Sequence, residues 1–174
     1  MTIDEEEFTR VFTEIYPNLC RFLESLLGNQ QTAQDIAQEC FMRLFREGLE
    51  NIKAGEARFW LFRVARNLAL NELRNAKKRR SFFDKIVESF YQPRPTQLET
   101  FERDERDRII MAMLDALPEH QRSALLLREQ EEMSYAEIAD ILAISESKVK
   151  VDIFRARNSL RKKVETNQRL YFSG

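Results

Sequence analysis

The sequence has few of the residues that interrupt regular structure or carry metal and redox chemistry. Its 174 residues include only 4 glycines, 4 prolines, 2 cysteines and 1 histidine. Sparse Gly and Pro leave few turns, and abundant Leu, Ala, Glu, Arg and Gln favour helices. No apolar run reaches the ~18 residues that a membrane helix needs. The acidic N-terminus also lacks the basic and apolar regions of a signal peptide. We therefore expect an all-α protein that stays in the cytoplasm.

The cysteines and the histidine form no recognisable chemical site. Cys20 and Cys40 are far apart, and neither belongs to a CxxC motif or a Cys/His cluster, so we interpret both as buried apolar thiols. His120 follows Pro118 and Glu119 at a predicted helix start, which indicates a surface or capping residue. The sequence shows no metal cluster, nucleophile arrangement or phosphate-binding Gly loop. It therefore predicts no catalytic residue, no cofactor, no metal and no small-molecule substrate.

The charges alternate along the chain, although the net charge is only −1. Residues 57–80 hold 8 Lys or Arg against 1 Asp or Glu, and residues 141–174 hold 8 against 3. The other stretches are acidic: residues 1–56 hold 5 Lys or Arg against 11 Asp or Glu, and residues 81–140 hold 7 against 14. Basic stretches of this kind suit phosphate binding. The alternative for either stretch alone is solvated charge on a helix face.

Apolar periodicity predicts three helices in the first half of the chain, over about Glu6–Leu27, Thr32–Glu47 and Ala57–Arg79. Pro17 should kink or divide the first helix, and Gly28-Asn29 should end it. Thr32 is a plausible cap for the second helix. Residues 48–56 are predicted to be a loop.

Helices resume from about Leu98 in the second half, with predicted starts at Pro118, Ser134 and Ser145. The sequence Ser134-Tyr-Ala-Glu137 fits a capping box. Pro93 and Pro95 fall in a stretch without sustained periodicity, whose aromatic residues could pack on a domain or on a partner. The prediction is two small helical domains and a flexible linker: residues 1–80, linker 81–100, residues 101–166 and a disordered tail 167–174.

The strongest local pattern is a helix-turn-helix over residues 133–157. Its second helix places Val149, Ile153 and Ala156 on one apolar stripe, so the opposite side can enter a DNA groove. An ordinary helical hairpin is the alternative. The candidate duplex-binding residues are Ser145, Ser147, Lys148, Lys150, Val151 and Arg155.

The second and third helices each carry a candidate binding surface. In the second, Asp35, Gln38, Glu39 and Met42 lie opposite the apolar side and suit either protein docking or simple solvation. The third has aromatics leading a basic run, which suits unstacked bases and their phosphates; the alternative places the aromatics in the core. Its candidates are Phe59, Trp60, Arg63, Arg66, Asn67, Arg74 and Lys77.

These motifs carry a family resemblance. Gln34–Phe41 and Phe59–Asn67 resemble region two of the extracytoplasmic-function sigma factors, and Leu117–Arg122 with the helix-turn-helix ending in Phe154–Arg161 resembles region four. Two departures stand out. Ala143 occupies a turn position where many relatives have Gly, and Asp152 occurs where many have a basic residue. An acid at that position should repel phosphate.

The resemblance implies a sigma factor that brings core RNA polymerase to promoter DNA. Asp35, Gln38 and Glu39 would dock on the clamp helices of the polymerase's largest subunit. The loop 48–56, with Asn67 nearby, would hold a flipped minus-ten base. The basic helix would stabilise the melted strand, and the helix from Ser145 would read the minus-thirty-five element. An anti-sigma factor, often membrane-anchored, would hold the protein inactive, in some cases at the inner membrane face.

Two other classes of function compete with this interpretation. A stand-alone helix-turn-helix regulator would use its first half for a ligand or partner, but aromatics followed by a basic run argue against that. An enzyme acting on nucleic acid would need a constellation of reactive groups that the sequence does not contain.

Overall fold

The computed structural model describes residues 5–52, 55–90 and 105–172. Across these ranges the chain forms seven α-helices, one short 3-10 helix at Leu49–Asn51 and no strand, which confirms the all-α prediction. None of the helices in these ranges is apolar over a length sufficient to cross a membrane. The helices are α1 (Glu5–Leu27), α2 (Gln30–Glu47), α3 (Ala57–Phe90), α4 (Glu105–Asp115), α5 (Glu119–Glu129), α6 (Tyr135–Leu142) and α7 (Glu146–Phe172).

Helix α1 is continuous through Pro17, so the expectation that Pro17 divides the helix is wrong. Proline removes one amide from the helical ladder. Ile15 and Leu19 on either side of it are buried, as is the rest of the apolar stripe. This packing stabilises the helix on both sides of Pro17 despite the missing hydrogen bond.

The turn between α1 and α2 differs from the prediction in its cap. Helix α1 ends before Gly28, which has a φ of +71°, as the sequence indicates. The cap of α2 is Asn29 rather than Thr32: the Asn29 side-chain oxygen accepts the amide of Thr32 at 2.9 Å. The predicted cap is therefore the residue whose amide is satisfied, three positions inside the true start.

Two helices continue past the ends that the sequence predicts. Helix α3 extends to Phe90, so the first ten residues of the predicted linker 81–100 are helical. No Gly or Pro occurs between Ala57 and Pro93 to end the helix earlier. Helix α7 runs to Phe172, so the predicted tail 167–174 is helical over 167–172. Residues 91–100 and the side chains of Phe83, Phe90 and Tyr91 lie outside the described part.

The core of the first half is built where α1, α2 and α3 meet. The rings of Phe22 on α1 and Phe62 on α3 contact edge to face with centroids 5.4 Å apart. Both are fully buried, together with Leu19, Leu23, Leu26, Leu44 and Leu61. Aliphatic and aromatic burial on this scale stabilises the bundle and fixes the direction in which α3 presents its other side.

The second half is a helix-turn-helix packed on α5. The predicted capping box forms: Ser134 Oγ accepts the Glu137 amide at 3.2 Å, and Glu137 Oε2 accepts the Ser134 amide at 2.7 Å. Ala143 ends α6 in the left-handed conformation, with φ of 54°. Met133, Ile138, Val149 and Ile153 are fully buried beneath the turn.

The two halves pack against each other through α1 and α5 and through α3 and α6. Their buried apolar residues form one continuous cluster. Arg122 on α5 joins them directly, because its guanidinium donates to the carbonyl of Leu26 on α1 at 2.7 Å. The two helical halves that the sequence predicts therefore pack against each other.

Candidate nucleic-acid interface

Helix α7 presents its predicted DNA-facing residues to solvent. Val149, Ile153 and Ala156 are buried, as the periodicity predicts. Ser145 precedes the helix and accepts the amide of Lys148 at 3.2 Å, which confirms its capping role. The exposed set comprises Ser145, Ser147, Lys148, Lys150, Val151 and Arg155. The helix thus offers hydroxyl, ammonium and guanidinium donors on the side away from its own domain.

Phe154 also belongs to this surface, although it was not among the predicted contacts. Its side chain is 65% exposed, and Val151 nearby is 41% exposed. A helical wheel places Phe154 opposite the buried stripe, which is the only sign of exposure that the sequence gives. An exposed aromatic ring on a groove-facing helix is suited to apolar contact with a base.

Asp152 does not face DNA, so the expectation that it repels phosphate is wrong. Its side chain is completely buried, and Oδ1 lies 2.5 Å from the Lys148 Nζ and 3.7 Å from Nε2 of His120. Position 152 lies at the edge of the apolar stripe, where burial could not be decided from the helical wheel. The carboxylate therefore pairs with Lys148 inside the protein. His120 is an exposed residue, as predicted.

Helix α3 exposes most of its predicted basic row. Arg63, Asn67, Arg74 and Lys77 all point to solvent. The aromatics are different: Phe59 and Trp60 are half-buried and pack against the core, so the alternative that placed them there is partly right. The exposed polar and basic residues of α3 are still suited to binding a phosphate backbone, without a contribution from the two aromatic rings.

Arg66, also predicted to bind DNA, is occupied by the other half of the protein. Its Nε and Nη2 each donate to one carboxylate oxygen of Glu119 at 3.2 Å. Arg58, the second residue of α3, donates to the carboxylate of Glu131 at 3.2 Å and to its backbone carbonyl at 2.7 Å. Sequence reasoning missed these pairings because the partners are separated by 53 and 73 residues.

A cavity of about 500 Å³ lies between α1, the loop 48–56 and the start of α3. Glu14 and Asn18 of α1, Leu49 of the loop and Arg58 and Phe62 of α3 are among its lining residues. Asn67, expected beside this loop, is not among those residues. The lining combines apolar side chains with carboxylate, guanidinium and amide groups.

The predicted docking face of α2 is exposed and acidic. Asp35, Gln38 and Met42 are exposed and Glu39 is partly exposed. Glu39 accepts a hydrogen bond from Arg43 at 2.8 Å, which lowers the pKa of the Glu39 carboxyl and keeps it ionised. Phe45, which was not predicted, extends the face with a ring that is 55% exposed.

The described residues were compared with the donor sets that metal ions and reactive thiols require. No group of three or more His, Cys, Asp or Glu side chains in this part of the chain could hold a metal ion. Cys40 is buried as predicted, and burial raises the pKa of its thiol to about 12. Cys20 is only half-buried, and burial raises its pKa as well.

Comparison with known proteins matches both halves to one family. Residues 11–79 match the model for Sigma-70 region 2 and residues 107–160 the model for Sigma-70 region 4. The chain is 30% identical to the ECF RNA polymerase sigma factor SigM of Bacillus subtilis over 161 residues, 92% of this chain and 94% of that protein. It is 31% identical to the RNA polymerase sigma-H factor of Pseudomonas aeruginosa, over 93% of this chain and 88% of that protein.

Two solved structures share the fold. The sigma factor RpoE of Bartonella quintana, solved with the anti-sigma factor NepR, superposes with a TM-score of 0.68 at 23% identity, covering 92% of this chain and 98% of that chain. CnrH, solved with the cytosolic domain of CnrY, gives a TM-score of 0.63 at 19% identity, covering 94% of this chain and 90% of that chain.

Proposed function

Because the chain belongs to the extracytoplasmic-function sigma factors of the sigma-70 family, we propose that it directs core RNA polymerase to specific promoters and starts DNA melting there. The observation that carries this is the pair of exposed basic surfaces, one on α3 and one on α7, in the two family-matched halves. A stand-alone regulator is not favoured, because the half that it would use for a ligand matches region 2. We propose no catalytic activity.

The two basic surfaces have different DNA partners in this proposal. Arg155 and Lys148 on α7 contact the duplex minus-thirty-five element, since a capped helix in a helix-turn-helix suits the major groove. Arg63, Asn67 and Arg74 on α3 contact the melted minus-ten strand. The cavity beside loop 48–56 receives a flipped base, whose extrusion costs a few kcal/mol that contacts in the cavity offset.

The division of labour is tested by two sets of alanine variants. Arg155→Ala should weaken promoter recognition even on a template already opened by mismatches. Arg63→Ala and Arg74→Ala should weaken binding to single-stranded minus-ten DNA while leaving duplex binding by α7 intact. If both sets changed only duplex binding, the assignment of α3 to melted DNA would be wrong.

The acidic face of α2 is the proposed polymerase-docking surface. Asp35→Arg with Glu39→Gln should weaken binding to core polymerase and reduce run-off transcription, because the face loses its negative charge without disturbing buried residues. Helical content and melting temperature should stay unchanged. Glu165→Arg, an exposed reversal on α7, is the matched control. Unaltered affinity of the α2 variant for core polymerase would refute this surface.

An anti-sigma factor is the third proposed partner. One structural relative is a sigma factor solved with the anti-sigma factor NepR, and another, CnrH, is solved with the cytosolic domain of CnrY. Exposed apolar side chains, including Phe82 on α3 and Phe45 on α2, offer surface that such a partner could bury. Co-purification from the native host tests this. Recovery only as free protein or with core polymerase, under inducing and non-inducing conditions, would exclude it.

A further inference from the structure

The DNA-facing helix α3 is held by carboxylates of the second half. Arg66 pairs with Glu119 through two hydrogen bonds, and Arg58 pairs with Glu131 through its carboxylate and its carbonyl. These four residues are called the interdomain contact. A guanidinium binds a carboxylate and a phosphate with the same two-pronged geometry. Glu119 and Glu131 therefore bind the two arginines through contacts that the phosphates of a DNA backbone could also make.

Glu131 ties the contact to the arrangement of the halves. Its side chain is 1% exposed, and its ion-pair partners among the described residues are Arg58 on α3 at 3.2 Å and Arg21 on α1 at 3.7 Å. Both arginines belong to the first half. A buried carboxylate needs a cation to offset its lost hydration. Separation of the halves would remove both cations at once, so Glu131 is stable as a buried ion only in the closed arrangement.

The same contact is incompletely satisfied. Four buried side-chain atoms in the described part of the chain lack a hydrogen-bond partner, and three of them lie between the halves: Arg122 Nε, Gln130 Oε1 and Glu131 Oε1. Gln130 and Arg122 also bridge to the first half, through Ser25 and Leu26. Unpaired buried polar atoms weaken an interface relative to its area.

We propose that Glu119 and Glu131 act as an intramolecular substitute for DNA phosphate, holding α3 in a closed state that competes with melted promoter DNA. This rests on the proposed function of α3 as the helix that binds single-stranded DNA. The acidic character of residues 81–140 and the basic character of residues 57–80 are then the two sides of one regulatory contact. Free protein is closed and binds single strands poorly, and opening releases Arg58 and Arg66 together.

The first measurement is small-angle scattering of the full-length chain. Glu119→Gln with Glu131→Gln removes the two carboxylate charges and keeps side-chain size, so the radius of gyration should rise. Glu105→Gln with Glu132→Gln is the matched control, because it removes the same charge from exposed positions in the same half. Circular dichroism confirms that each variant stays helical. An unchanged radius in the Glu119/Glu131 variant overturns the proposal.

The second measurement is fluorescence anisotropy with a labelled 15-nucleotide oligo-dT. If four-fifths of the wild-type molecules are closed, the opened variant should bind about fivefold more tightly, because only the open fraction is competent. The Glu105/Glu132 control variant measures how much the affinity for oligo-dT rises from the change in net charge alone. A gain no larger than that of the control overturns the proposal.

A third variant separates this proposal from the proposed function. Arg63 is exposed and takes part in no ion pair among the described residues. Arg63→Ala should weaken oligo-dT binding in both the wild-type and the opened background. If it does so while the opened variant gains nothing, α3 binds DNA but the interdomain contact does not compete with it. If Arg63→Ala and Arg74→Ala change nothing in either background, the function of α3 itself is wrong.

Discussion

Lys148 neutralises Asp152 one turn further along α7, with Nζ 2.5 Å from Oδ1 of a carboxylate that is completely buried. Lys148 therefore has a structural task besides any contact with DNA. Its side chain is nearly half exposed, so it serves as a counter-ion inward and remains accessible on the proposed DNA-binding surface. A loss of DNA binding after its removal would mix these two effects.

Lys148→Ala should lower the free energy of unfolding by about 2 kcal/mol, because it leaves a buried carboxylate without its cation. This loss is smaller than that for a fully buried ion pair, since Lys148 is partly exposed. Adding Asp152→Asn should recover most of this loss, as coupled neighbours do. Arg155→Ala, an exposed neighbour, should weaken DNA binding and leave stability unchanged. Chemical denaturation of the four proteins checks this, and equal stability of the Lys148 and Arg155 variants would contradict it.

Ala143→Gly should stabilise the helix-turn-helix. Ala143 has a φ of 54°, a conformation that costs a residue with a Cβ about 1–2 kcal/mol. Gly relieves that cost but has more freedom to lose on folding, so the net gain should be about 0.5 kcal/mol. Ala112→Gly within α4 is the control and should destabilise. Thermal unfolding measures both, and a lower melting temperature for Ala143→Gly would show that the turn is not strained.

Stability should fall at high pH partly through Cys40. Burial raises the pKa of its thiol to about 12, so the folded state favours the neutral form. That stability is complete below the ordinary thiol pKa of about 8.5 and is lost as pH rises toward 12. The stability difference between wild type and Cys40→Ala should therefore narrow by on the order of a few kcal/mol between pH 8 and pH 12. Cys20→Ala, at a less buried thiol, should show a smaller change, and parallel pH profiles for wild type and Cys40→Ala would contradict the assignment.

Arg122→Met should cost about 3 kcal/mol of unfolding free energy, because it leaves several buried carbonyls without a donor. The guanidinium donates to Leu26 at 2.7 Å, Leu117 at 3.0 Å and the Asp115 carbonyl at 3.3 Å. Arg122→Lys should not rescue it, since one ammonium cannot reproduce that fork of donors. Arg108→Met, at an exposed position, is the control. Equal unfolding free energies in urea for Arg122→Met and Arg108→Met would contradict the structural role of Arg122.

Local signals in the sequence were sufficient for the number of helices and for several of their starts. The start of α3 at Ala57 and the capping box from Ser134 follow from periodicity and from residues three positions apart, so neighbouring side chains settle them. The ends of α3 and α7 were placed too early because falling periodicity was taken as the end of a helix. Backbone hydrogen bonds continue without an apolar face until Pro or Gly intervenes.

The sequence predicts which residues belong to the candidate site, but not which of them contact each other. The sequence identified Arg66 as basic and Glu119 as acidic, yet nothing local indicates that residues 53 positions apart would meet. The burial of Asp152 could not be predicted either, because a side chain at the edge of the apolar stripe can face the core or the solvent. Phe45 was missed because an aromatic ring is more often buried than exposed. Such features depend on tertiary packing.

The length of α3 sets a limit on how one molecule can span a promoter. Its 34 residues form a rod of about 50 Å, and only residues 91–104 separate its end from α4. Those fourteen residues reach at most about 50 Å when fully extended, the length of about fifteen base pairs of duplex. The last ten residues of α3 span about 15 Å as a helix. The same ten residues would span ~33 Å as an extended chain. The spacing between two promoter elements that this protein can occupy at once is therefore bounded by where α3 stops.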